Sequence, residues 1–76
     1  EGYILILRNR DVPGVVGTVG SLLGRNGINI AGMELGRTEK GGNAISFIHV
    51  DDAVSKKALR ELRDRPEIVS AELVKL

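Results

Sequence analysis

The hydrophobic positions of this chain fall into short blocks separated by polar turns. GYILILR (2–8) is a continuous apolar run. Its length and turn-like ending predict a strand buried on both faces. Asp11, Val12 and Pro13 mark a helix start: Asp11 can cap the first free amides, and Pro13 is tolerated in a first turn. Val15, Val16, Val19, Leu22 and Leu23 follow at helical spacing to residue 25, and Asn26-Gly27 is the stop. INIAGMELGRTE (28–39) alternates, with Asn29, Ala31, Met33 and Leu35 on one face and Ile28 and Ile30 on the other. Gly32 and Gly36 predict a bulge or bend in this second strand. KGG makes a tight hairpin turn, and NAISFIHV (43–50) is the returning antiparallel strand. Asp51 or Asp52 caps a second helix over 53–64, whose apolar stripe is Val54, Ala58, Leu59 and Leu62. Lys56, Lys57, Arg60 and Arg63 then face water. Pro66 forbids continuation, and EIVSAELVKL (67–76) is the last strand.

The order β-α-β-β-α-β implies an α+β, ferredoxin-like fold: one four-stranded antiparallel sheet with both helices on one face. With 76 residues the chain makes one small domain, residues 1–76. A chain of this size buries only about 60–65% of its unfolded surface, so self-association is expected to support it. There is no Cys, which excludes disulfides, thiolate zinc sites and thiol nucleophiles and fits a reducing cytoplasm. The formal charge of +1, without long runs of one sign, gives no electrostatic footprint for nucleic acid or an anionic membrane. No apolar stretch has membrane-spanning length and no signal peptide opens the chain. The first residue is Glu and not Met, so the expectation is a domain of a larger protein.

Candidate chemistry concentrates at residues 9–15. Amides at Gly14, Val15 and Val16 point out of the predicted helix start, where the macrodipole favours a carboxylate or phosphate. Gly14 lacks a Cβ and allows close approach. Asp11 can hold an ammonium group, and Asn9 can donate and accept. Together they suit a small zwitterion. The plainer reading makes Asp11 an N-cap, Gly14 a helix-start residue and Asn9 a solvated loop residue. Asn29, at the start of the second strand, either satisfies local backbone amides or reaches a ligand.

Gly17, Gly20 and Gly24 lie inside a predicted helix, where each costs about 1 kcal/mol relative to Ala. Close packing on the sheet or on a second subunit is the expected reason. Neither G-x-G-x-x-G nor G-K-[ST] is present, so no dinucleotide fingerprint or P-loop exists. His49, the single His, lacks the ligand cluster of a metal site. Arg37, Glu39 and Lys40 read as a solvated hairpin tip. No catalytic constellation stands out. An RNA-binding module would need stacking aromatics and a basic face, and only Tyr3 and Phe47 are aromatic. An acylphosphatase-like site is left a narrow opening by Arg8, Arg10 and Asn29.

NRDVPGVVGTVGSLLGRNGINIAGMELGR followed by GGNAISFIHVDD resembles an ACT domain over nearly the whole chain. More narrowly, it is similar to the regulatory ACT domains of the D-3-phosphoglycerate dehydrogenase family. The most specific pieces are the D-x-P-G-V-[VI]-G helix start, GINIAGM, and the GR-x-x-K-GG-x-A hairpin. The resemblance implies an amino-acid-binding module, with L-serine as effector, that dimerises with first strands or helices side by side. It implies a ligand held between two subunits, by Asn9 and Asp11 with the Gly14 and Val15 amides on one and Asn29 on the other. The serine-sensitive pattern carries His at the position of Asn9 and Asn at that of Asp11. Catalysis and an NAD cofactor would belong to a parent enzyme, with none in this segment. A similar domain ends the β chain of iron–sulfur L-serine dehydratase, which leaves that parent as an alternative, beside a module that only dimerises.

Overall fold

Alternation along the first strand sends its side chains into two different environments. The computed structural model describes residues 2–37 and 42–76. In it β1 (Tyr3–Arg10) turns Leu5, Leu7 and Asn9 inward and Ile4, Ile6 and Arg8 outward. The chain continues through α1 (Val15–Arg25), β2 (Ile30–Arg37), β3 (Asn43–Val50), α2 (Lys56–Arg63) and β4 (Ile68–Lys75). The strands form one sheet in the order β2-β3-β1-β4, antiparallel at every pairing. Val15, Val19, Leu22 and Leu23 of α1 and Ala58 and Leu62 of α2 join Leu5, Leu7, Ile48 and Ala71 in a single core. Both helices therefore cover the same face, which is the ferredoxin-like α+β arrangement the element order implied. Each Leu buried there contributes roughly 1.5–3 kcal/mol relative to exposure.

Two expectations about β1 change. It is buried on one face only: Ile4 and Ile6 are half-buried on a side that no helix covers. An unbroken apolar run cannot distinguish a two-sided strand from a central strand with one bare face. In addition, β1 has neighbours on both edges, β3 and β4, so first strands cannot pair side by side between copies.

Helix ends follow local capping chemistry. α1 starts at Val15, capped by Gly14 in the left-handed conformation (φ 88°) and not by Asp11, while Pro13 lies in the preceding turn. The Asp11 N–H donates to the Gly42 carbonyl at 2.7 Å, which holds the residue in the strand-to-helix loop. At the other end the Gly27 N–H bonds Gly24 O at 3.0 Å and the Ile28 N–H bonds Leu23 O at 2.9 Å. Gly27 has φ 73°, so Asn26-Gly27 closes α1 in a Schellman motif, with Ile28 buried behind it. α2 begins at Lys56, not near residue 53, because Ser55 is its cap: the Ser55 Oγ accepts the Ala58 N–H at 3.1 Å. Asp51 and Asp52 lie in the bend before it. Val54 and Leu59 then occupy the positions of a hydrophobic staple.

The predicted irregularity in β2 is real and alters the faces. Pairing with β3 shifts between Ile30 and Gly32, leaving Ala31 as the extra residue. Ile30, opposite Val50, consequently lies on the helix side together with Met33 and Leu35, where plain alternation put it on the other face. Gly17, Gly20 and Gly24 do not pack α1 onto the sheet: a Cβ at any of them would meet nothing within 4 Å. Glu39, Lys40 and Gly41, at the β2–β3 turn, fall outside the described residues. Among the described residues, no helix is long and apolar enough to cross a membrane.

Candidate functional site

The first loop leaves the sheet between two anchors. The Arg10 N–H bonds Glu67 O at 2.8 Å, the Asp11 N–H bonds Gly42 O at 2.7 Å, and the Val12 N–H folds back on Arg10 O at 2.9 Å. Val12, Pro13 and Gly14 are exposed and Asp11 is half-buried. The loop thus presents Gly14 and the first turn of α1 at the surface, beside Asp11.

That first turn carries no side-chain cap and no acidic residue. The first helical bond runs from the Thr18 N–H to Gly14 O at 2.9 Å. The amides of Val15, Val16 and Gly17 precede it, at the positive end of the macrodipole. Val15 offers its N–H only, because its side chain is in the core. An anion small enough to approach past Gly14 is the ligand such an end favours.

Asn9 is not a solvated loop residue. It lies in β1 opposite Ala44 and Ile68, only 4% exposed. Its Nδ2 donates to Arg10 O at 2.9 Å, and its Oδ1 accepts from the Ser46 Oγ at 3.4 Å. Its role in this structure is to brace the strand end behind the loop. Ser46 is a functional residue that no motif marks, yet alternation does: Ala44, Ser46, Ile48 and Val50 point inward, which makes Ser46 a polar residue at a core position.

Asn9, Asp11, Gly14 and Val15 are brought together at one end of the sheet. Asn29 is not. It is exposed just ahead of Ile30, whose partner Val50 also pairs with Tyr3, at the opposite end of β1. Six residues of extended strand separate Tyr3 from Asn9, a span of about 20 Å. The same separation keeps Asn29 from sharing a pocket with Arg10, and Arg8 lies five strand residues, about 16 Å, from the Tyr3 end, so the three groups of the acylphosphatase-like reading are not brought together within one chain. Among the described residues, no group of three or more His, Cys, Asp or Glu could hold a metal ion. His49 is half-buried, its Nε2 4.0 Å from the Glu34 Oε1.

A family model described as ACT domain matches residues 3–67. The chain is 44% identical over 75 residues, 99% of its length, to the D-3-phosphoglycerate dehydrogenase of Bacillus subtilis (strain 168). It is 41% identical to the enzyme of that name from Archaeoglobus fulgidus and 34% identical to that from Methanocaldococcus jannaschii, both over its whole length. It spans 14–15% of these relatives, so it corresponds to one small part of each.

Proposed function

Because the chain belongs to the ACT domain family, we propose that it is a regulatory module whose effector, L-serine, lodges between two copies at the mouth of α1. The observation that carries this reading is the uncapped helix start behind an exposed, left-handed Gly14. A serine carboxylate accepting first-turn amides gains from both the hydrogen bonds and the dipole. Asp11, at the same opening, provides the negative charge an ammonium group seeks.

The position of Asn29 fits a shared site. β2 has a neighbour on one side only. Joining two copies through β2 about a two-fold axis runs the edge strands antiparallel. The partner's Asn29 then comes to the loop end of the first copy. Met33 and Leu35, exposed on the helix side of that edge, supply apolar surface for the contact. α2 packs over β4, which leaves α1, with its bare glycines, toward the β2 side. A ligand touching both copies favours the closed pairing and shifts the population of the attached enzyme.

The relatives named above bear the dehydrogenase name, which favours a cytoplasmic phosphoglycerate dehydrogenase over the dehydratase as parent. The β1–α1 turn lacks the dinucleotide fingerprint, and we assign the NAD cofactor and the catalytic groups of such an enzyme to parts outside this chain. Titration with L-serine, followed by amide NMR and calorimetry, tests the reading. Shifts at Asp11 to Val16 and at Asn29, lost in Asn29→Ala, are expected. An unchanged spectrum at millimolar serine leaves only a dimerising module.

A further inference from the structure

The face of the sheet away from the helices is uncovered, and its side chains form a regular pattern. The register places Glu34, Phe47, Ile6 and Glu72 in one row across the four strands. His49 and Ile4 lie in the row above, Arg8 and Ile45 in the row below. Phe47, Ile6, Ile4 and Ile45 are half-buried, with no helix over them. The apolar centre is thus flanked by a carboxylate at each end across the strands and by a nitrogen donor at each end along them. Arg8 is exposed and makes no ion pair among the described residues.

The two axes of this pattern have matching lengths. Three inter-strand steps separate Glu34 from Glu72, about 14 Å; four residues along the strands separate the Arg8 and His49 rows, again about 14 Å. Stacking two copies with strands nearly aligned sets carboxylate against carboxylate. Crossing them near 90°, the other common way for sheets to pack, sets each carboxylate against Arg8 or His49 of the other copy. His49 donates an N–H in either protonation state. The face therefore complements itself in one class of orientation and repels itself in the other.

We propose that this bare sheet face is an interface with a second copy of the chain, the two sheets crossing near 90° with Phe47 and Ile6 at the centre. Gly32 and Gly36, on the same face of β2, leave two corners without side chains for the crossing strands. Four strands of eight residues offer roughly 500 Å² per copy, of which two faces crossing near 90° share roughly 370 Å², so the pair buries about 700 Å², the size of a weak, transient interface. The assembly is accordingly concentration-dependent. It lies on the opposite layer from α1 and does not depend on the effector site.

Sedimentation velocity on the full chain tests it. Across a concentration series the wild type is expected to reach twice the mass of Arg8→Glu, with circular dichroism showing both folded. Adding Glu72→Arg or Glu34→Arg to Arg8→Glu restores the mass, and which of the two succeeds gives the hand of the crossing. Wild type and Arg8→Glu of equal mass at every concentration, or failure of both swaps, overturns the proposal and gives the face to another occupant. Leu35→Lys, on the helix side at the β2 edge, separates this result from the effector reading: it removes serine binding and leaves the stacking intact.

Discussion

Asn9 ties the end of β1 to its surroundings through two unequal bonds, 2.9 Å to Arg10 O and 3.4 Å from the Ser46 Oγ. The second is long for a hydroxyl donor, so the first carries more of the stabilisation. Asn9→Ala is expected to lower the unfolding free energy by about 1–3 kcal/mol in urea titrations, with Ser46→Ala losing less. Equal losses would mean the hydroxyl bond is the stronger. Asp11 makes a different prediction. Asp11→Ala removes both the charge and the hydrogen-bonding oxygens, so serine affinity is expected to fall roughly tenfold, about 1.4 kcal/mol. Tighter binding in calorimetry would show the ammonium group lying elsewhere. Both residues were visible in the sequence as polar groups near a turn. What was hidden is that β1 continues two residues past the predicted end, which carries Asn9 inward by alternation.

Capping decides where the helices begin, and this shows in stability. Ser55→Ala is expected to cost about 1 kcal/mol in thermal unfolding. Asp51→Asn and Asp52→Asn, in the exposed bend, are expected to stay within about 0.5 kcal/mol of wild type. A larger effect at either Asp would return the cap to the position the sequence suggested. Periodicity located both helices and all four strands, because Leu22, Leu23 and Leu62 repeat at helical spacing and NAISFIHV alternates cleanly. Asn26-Gly27 was legible because a glycine stop has few alternatives. The Ser55 cap was not, since Asp51, Asp52 and Ser55 are all competent and only the entry of Val54 into the core selects among them. The β2 bulge was announced by Gly32, but its effect on Ile30 depends on pairing with β3, which is a long-range fact.

Across the whole molecule, the two halves of the candidate site stand about 20 Å apart, at opposite ends of the sheet. No periodicity in a single chain can join them; only a family likeness named Asn29 together with Asp11 and Gly14. A two-fold pairing supplies the missing geometry, and thermodynamic linkage makes it measurable. A ligand that binds only the folded pair stabilises it by about 2.7 kcal/mol at a concentration one hundred times its Kd. For a domain of this size each kcal/mol moves the midpoint by roughly 4–8 °C, so L-serine is expected to raise Tm by roughly 10–20 °C. The rise is expected to grow with protein concentration, because the pair must form. Asn29 is exposed and not in the core, so Asn29→Ala is expected to melt like the wild type without serine and to lose the serine-induced rise. A rise that survives Asn29→Ala, or that is independent of protein concentration, would place the ligand within one copy and remove the reason for the second.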